Sequence, residues 1–334
     1  MGESRWIDNW WEWILMESVM GGLEKQVLKG VSRSFYLSLQ MLPGPMRGAA
    51  SLGYLLARIS DTIADAAAVP IEMKLNALQQ FQQAIEVGSD LPRWPISLLN
   101  AILDSRERHL MECTGEVMAW FGQMPMAEAE LIRGVVMTII GGQTLDLERF
   151  GNASGDQPVA LVDEAELDDY TWRVAGCVGE FWTKLGLTTM GAAFSHAPED
   201  ELLRQGIAYG KGLQLVNILR DISADLAVGR CYLPVGNPKD LAALLECHEV
   251  WRARATAYLQ EGLSYAGKLN SRRLRAASVM PAWIGQMTLD RIRGADWETL
   301  ESHVKVSRSR IYGSVIRSFF YPASDAVDRS VRAI

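Results

Sequence analysis

A chain of 334 residues can hold one large core or two ordinary ones, and 49% hydrophobic with 22% charged side chains fits neither a disordered nor a membrane-integral protein. The net charge of −7, with no dense block of Lys and Arg, excludes the basic face that nucleic-acid binders carry, so no nucleic-acid partner is expected. Cys113, Cys177, Cys231 and Cys247 lie far apart with no Cys-x-x-Cys pair, which signals neither a zinc site nor a disulfide framework and fits a reducing, cytoplasmic setting.

The chain opens on Met-Gly-Glu-Ser-Arg followed by acids, without the basic start and cleavage site of an export signal. Residues 1–25 then crowd Trp6, Trp10, Trp11 and Trp13 beside Ile7, Ile14 and Leu15, which predicts a Trp-rich helix. Two readings stay open for it. It is a lid or brace on the body, or it makes peripheral contact with the inner membrane face, although the Lys and Arg flank of surface-binding helices is missing.

Beyond this segment, apolar residues recur every three or four positions, as in Ala129 to Thr138 and Glu201 to Leu219, and no series of alternating strands is present. Helices should break at Pro43-Gly44-Pro45, Val69-Pro70, Leu91 to Pro95, Gly151 to Pro158, Ala197-Pro198 and Pro234 to Pro238. None of these reads as an interdomain linker, and no repeat is evident. The expectation is an all-α protein forming a single domain over 1–334. The longest apolar stretch without charge, Ala276 to Leu289, contains Pro281 and falls short of the roughly 20 residues that span a bilayer.

In chain order, Ser32-Arg33-Ser34-Phe35 offers two hydroxyls and a guanidinium just before an apolar run, suited either to a phosphate contact or to an ordinary helix N-cap. Tyr54, Arg58, Asp61 and Asp65 follow at spacings of four, three and four, which keeps them within roughly 60° of one helix face. Taken alone, that stripe also describes a solvated helix face.

Between this stripe and a second one, Tyr170 can move a proton or steady a carbocation with its ring. The small residues around Val174-Ala175-Gly176 mark a place where helices approach or a long substrate slides past. The second stripe is Gln214, Asn217, Asp221 and Asp225, on a helix whose other faces carry Leu213, Leu215, Val216, Ile218 and Leu219. A helix apolar nearly all round is buried, and burying two carboxylates with two amides is costly unless they meet a ligand or metal. Carboxylates one turn apart suit Mg²⁺, which takes one or two of them and fills its remaining positions with water and phosphate. Such a site would neutralise a departing diphosphate. Arg220, Arg230 and Tyr232 follow closely and can meet phosphate oxygens.

These residues together resemble the squalene and phytoene synthase family of head-to-head prenyl synthases, from about Ser32 to Tyr232 and more weakly to the C-terminus. Ser32-Arg33-Ser34-Phe35 is similar to the family's Ser-x-Ser-Phe signature. Arg58-Ile-Ser-Asp61-Thr-Ile-Ala-Asp65 and Gln214-Leu-Val-Asn217-Ile-Leu-Arg220-Asp221-Ile-Ser-Ala-Asp225 are similar to its two aspartate motifs, and Tyr170 to the tyrosine of its Tyr-x-x-x-Val-Ala-Gly element. The resemblance implies the isoprenoid synthase fold, with a central cavity lined by two aspartate-rich helices. It also implies coupling of two allylic diphosphates through a cyclopropylcarbinyl diphosphate. In the implied roles Asp61, Asp65, Asp221 and Asp225 bind Mg²⁺. Ser32, Arg33, Ser34, Phe35, Arg58, Gln214, Asn217, Arg220, Arg230 and Tyr232 hold substrate, and Tyr54 and Tyr170 act near the carbocations.

Within the family, Arg58-Ile-Ser-Asp61-Thr is closer to the Arg-Ala-Leu-Asp-Thr of squalene synthases than to the Cys-Arg motifs of carotenoid members, and Gly141-Gly142-Gln143 departs from the Gly-Met of phytoene-type members. Val304-Lys305-Val306-Ser307-Arg308 resembles a basic region of squalene synthases, which makes Lys305 and Arg308 either NADPH contacts or surface charges. The expectation is a soluble bacterial form that joins two farnesyl diphosphates to squalene using NADPH. Phytoene, dehydrosqualene or presqualene diphosphate synthesis, and a catalytically silent binding or assembly subunit, stand as alternatives. The oligomeric state is not legible.

Overall fold

The computed structural model describes residues 23–32, 35–66, 69–88, 92–302 and 321. Helices dominate, and they stop where proline and glycine were expected to stop them. Phe35–Met41 ends before Pro43, and Gly44–Asp65 gives way to Ile71–Val87 at Pro70. Ile96–Ala101 starts after Pro95, Glu199–Ala227 after Pro198, and Met126–Phe150 ends at Gly151. Proline fixes φ and lacks an N–H, so it suits the position just before or at the first turn, where no intrahelical donor is required. The Trp-rich segment through Trp13, with Arg33, Ser34, Lys305 and Arg308, lies outside the described residues. Among the described residues no helix is long and apolar enough to cross a membrane.

The chain divides into two compact units, one from Met1–Leu39 with Gly48–Ile140, the other from Gln40–Arg47 with Gly141–Ile334. No linker separates them in sequence, because helices Gly44–Asp65 and Met126–Phe150 each contribute residues to both. In the first unit Gly44–Asp65 buries Leu52, Leu55, Leu56, Ile59 and Ile63 completely, at the three-and-four spacing that puts them on the face away from Asp61. Leu78, Phe81 and Ile85 are the buried counterpart on Ile71–Val87. Trp94 sets its ring edge-on to Phe81 at 6.0 Å and donates its indole N–H to Thr114 Oγ1 at 2.9 Å.

The second unit is built around the long helix Glu199–Ala227, which packs against Leu241–Gly267, Cys177–Met190 and the π-helical turn Trp172–Gly176. Leu215, Val216, Ile218, Leu219 and Ile222 join Trp251, Ala255 and Leu259 of Leu241–Gly267 and Ala282 and Leu289 of Arg272–Arg291 in one core. Glycines let the backbones touch. A β-carbon on residue 179 would run into the carbonyl oxygen of Gly206, and one on residue 210 into that of Ala175. The small residues after Tyr170 are therefore seats for helix contact.

Helix Arg272–Arg291 continues through Pro281, where the missing N–H leaves the Ala277 carbonyl without its usual donor. Beside this break Tyr209 donates its hydroxyl to the Ser278 carbonyl at 2.6 Å. The short strands β1 (Val159–Ala160) and β2 (Arg230–Cys231) pair in parallel, a detail the helical periodicity did not announce. Gly229, at φ +91°, makes the turn into β2 and accepts the Val159 N–H at 2.9 Å.

The close approach of Gly179 to Gly206 yields a first prediction. Gly179→Ala places a methyl against backbone that cannot rotate away, so thermal or denaturant unfolding should show a loss of about 2 kcal/mol or more. Ser38→Ala, at a buried hydroxyl, should cost less in the same assay.

Candidate active site

The first unit arranges its polar stripe around one carbonyl. Tyr54 and Arg58, one turn apart on Gly44–Asp65, both reach the Val31 oxygen, Tyr54 through its hydroxyl at 3.1 Å and Arg58 through Nη2 at 3.4 Å. Arg58 also donates to the Tyr54 hydroxyl at 3.4 Å and stands 3.8 Å from the Asp61 carboxylate. The guanidinium thus links the helix Lys29–Ser32 to the first aspartate. Ser32 is buried, and its hydroxyl donates to Leu28 O at 2.5 Å, back along its own chain and not as an N-cap. Phe35 opens the next helix. Asp61 is half-exposed and Asp65, on the last helical turn, is exposed.

In the second unit the four stripe residues occupy the C-terminal half of Glu199–Ala227. Gln214 is half-buried and accepts from the exposed Asn217 amide at 3.4 Å, as the three-residue spacing allows. Arg220 grips its neighbour Asp221 with two parallel N–H donors, one of them Nε to Oδ1 at 2.7 Å. Asp225 is half-buried one turn further on. Burial first, then the charge of Asp221, push its carboxyl up to about 7 against the pull of Arg230.

Beside this helix lies a cluster that sequence reading assembled only in part. Tyr170 and Tyr232 stack with centroids 4.7 Å apart and planes 21° from parallel, and Phe150 meets Tyr232 edge-on at 5.2 Å. The Tyr232 hydroxyl donates to Asp146 Oδ2 at 3.0 Å, and Arg230 Nη1 stands 3.6 Å from the same oxygen. Arg230 and Tyr232 flank Cys231, whose backbone is held by the bond from Leu161 N at 3.1 Å. Burial, followed by the negative surroundings of Tyr232 and Asp146, holds the Tyr170 phenol protonated well beyond its ordinary range. Asp146 is the residue the sequence reading passed over. Its signal was a carboxylate spaced three from the buried Gln143, on a helix whose neighbours Ile139, Ile140 and Leu147 are also buried.

Among the described residues no three His, Cys, Asp or Glu side chains form a ready-made metal cage. The acidic group nevertheless fits a hard divalent cation. Asp225 feels the like charges of Asp221 and Asp146, and Arg220 and Arg230 do not bring its carboxyl back to the ordinary range. Mg²⁺ needs only one or two carboxylates when water and phosphate complete its shell.

The squalene/phytoene synthase family model matches residues 28–310, and the chain belongs to that family. It is 32% identical over 205 residues to the presqualene diphosphate synthase of Zymomonas mobilis, covering 61% of this chain and 56% of that one. It is 25% identical over 313 residues to the squalene synthase of Eremothecium gossypii, covering 88% and 66%. The chain spans between about a third and two-thirds of the length of the curated relatives it matches. A solved complex of TcSQS with a ligand superimposes with a TM-score of 0.71 at 22% identity, covering 92% of this chain and 86% of that one, which shows the shared all-α isoprenoid synthase fold.

The raised carboxyl of Asp225 makes the folded state lose stability as pH rises. Its folded value of about 7 lies above the ordinary 3.8, so the folded state holds a proton that the unfolded state has released. Stability from this group is therefore complete below about pH 4 and is lost as pH rises through about 7. In chelator-treated protein the thermal midpoint of Asp225→Asn should overtake that of the parent over this range, exceeding it by about 3–6 °C at pH 7.5. Mg²⁺ should raise the midpoint of the parent and do less for the variant.

Proposed function

We propose that this chain is a prenyltransferase that joins two farnesyl diphosphates head to head, through presqualene diphosphate, to squalene, with NADPH as the final reductant. The observation that carries the reading is the acidic and aromatic group of the second unit. Carboxylates that repel one another border a stacked tyrosine pair, so groups suited to a metal diphosphate lie beside groups suited to a carbocation. The proposed magnesium ligands are Asp61 and Asp65 in one unit and Asp221 and Asp225 in the other. When bound, Mg²⁺ supplies charge neutralisation for the departing diphosphate.

The chain's own residues do the rest. Arg58, Gln214, Asn217 and Arg220 orient diphosphate, and the guanidinium of Arg58 is already braced by Tyr54 and the Val31 carbonyl. Ser32, Arg33, Ser34 and Phe35 belong to the same proposed substrate contact, as do Arg230 and Tyr232, although these last two already engage Asp146. Tyr170 keeps its proton, so it serves the allylic cation through its ring face and not as a phenolate. The leaving group departs as diphosphate and needs no general acid. The apolar residues bordering the site exclude the water that would quench the cation. Lys305 and Arg308 are the proposed contacts for NADPH.

A second reading is favoured by the 32% identity to a presqualene diphosphate synthase, against 25% to a squalene synthase. It keeps the same first coupling and stops before reduction.

Purified protein given Mg²⁺ and farnesyl diphosphate should release squalene with NADPH and presqualene diphosphate without it, as read by extraction and mass spectrometry. No response to NADPH would favour the second reading, and a C40 product from geranylgeranyl diphosphate alone would replace both with phytoene synthesis. Asp61→Asn and Asp221→Asn should each lower turnover by about a hundredfold or more while leaving the fold intact. Unchanged turnover in both would point to a silent binding or assembly subunit.

A further inference from the structure

We propose that Asp146 is a positioning residue that acts through Tyr232 to fix the ring of Tyr170. The inference rests on the reading of Tyr170 given above but concerns a residue to which that reading assigns no task.

Three contacts hold Tyr232. Asp146 Oδ2 accepts a hydrogen bond from its hydroxyl at 3.0 Å, Phe150 meets it edge-on at 5.2 Å, and Tyr170 covers one face at 4.7 Å. Asp146 and Phe150 are four residues apart on Met126–Phe150, so one helix face supplies both the polar and the apolar restraint. The backbone is held too, because Tyr232 directly follows β2, which is bonded to β1. A ring fixed at its hydroxyl, edge and backbone presents an immobile platform. The stacked Tyr170 ring inherits that orientation.

One oxygen of Asp146 is already committed. The oxygen that receives the Tyr232 hydroxyl also faces Arg230 at 3.6 Å, and the side chain is only 14% exposed. An acidic group whose oxygen is shared between a phenol and a guanidinium of the same chain acts as an anchor for those groups. Its effect on the reaction is therefore routed through Tyr232, whose ring supports Tyr170. Loss of the outer hydrogen-bonding partner of a metal ligand typically costs about 10- to 100-fold in affinity or activity, and the lower end of that range is the expectation for the partner of an aromatic support.

Two measurements test this. In protein labelled with ¹³C at tyrosine Cζ, whose shift reports hydroxyl environment, spectra of Tyr170→Phe and Tyr232→Phe assign two of the nine tyrosines. Asp146→Asn should then move both resonances. A Tyr170 resonance that stays in place overturns the proposal whatever the protein catalyses.

In steady-state assays with farnesyl diphosphate, Asp146→Asn and Tyr232→Phe should each lower kcat by about tenfold, with KM and the half-saturating Mg²⁺ concentration changed less than about twofold. Adding Asp146→Asn to Tyr170→Ala, which removes the ring, should cost nothing further. Penalties that multiply, or a raised Mg²⁺ requirement in Asp146→Asn, would overturn the proposal, the latter by making Asp146 a metal ligand. If the parent protein fails to turn over any prenyl diphosphate, the functional reading falls while the tyrosine resonances still decide the role of Asp146.

Discussion

Two helix backbones lie closer in the second unit than side chains would permit. Gly206 and Gly210 on Glu199–Ala227 accept the backbone of Gly179 and Ala175 where any larger residue would collide. That approach fixes the depth and rotation of the long helix, because a helix pinned on one face has its remaining faces determined by the turn of about 100° per residue. Leu215, Ile218, Leu219 and Ile222 are sent into the core. Gln214, Asn217, Asp221 and Asp225 are left on a face that the core does not fill. The polar stripe is thus a consequence of where the glycines lie as much as of the stripe's own spacing.

The same contact reaches the aromatic cluster. Ala175 belongs to the π-helical turn Trp172–Gly176, which begins two residues after Tyr170. A π turn inserts an extra residue into the helical ladder, so the seat of Ala175 against Gly210 and the position of Tyr170 belong to one continuous piece of backbone. Tyr232 arrives from a different direction, on the chain leaving β2, and its stacking on Tyr170 joins two segments far apart in sequence. Asp146 and Arg230 balance charge at the Tyr232 hydroxyl. Backbone fit, aromatic stacking and a shared carboxylate oxygen therefore act in series to bring a phenol ring beside repelling carboxylates.

The first unit solves a smaller problem with less. Its stripe needs no buried carboxylate, since Asp61 and Asp65 remain solvated, and its organisation comes from Arg58. One guanidinium with several donors in a rigid fork can touch a backbone carbonyl, a phenol and a carboxylate at once. Lysine at that position would offer a single charge without the fork. The Val31 carbonyl is reachable because the short helix Lys29–Ser32 ends there.

Much of this was legible in the amino-acid order. Helical class and breakpoints followed from apolar spacing and proline, which act locally and need no partner. Both aspartate stripes were visible for the same reason, since residues three and four apart share a helix face in any context. For Ser32 the sequence offered a phosphate contact or an N-cap, and in the folded chain its hydroxyl bonds one turn back to Leu28. Only the folded chain decided that Tyr232 stacks on Tyr170, that Asp146 receives its hydroxyl, and that β1 holds β2. Each of these joins residues more than 60 positions apart, as the separation of 86 between Asp146 and Tyr232 illustrates. Local periodicity carries no information about such pairings. They are set by which helix faces the glycines allow to meet, and that is a property of packing in three dimensions.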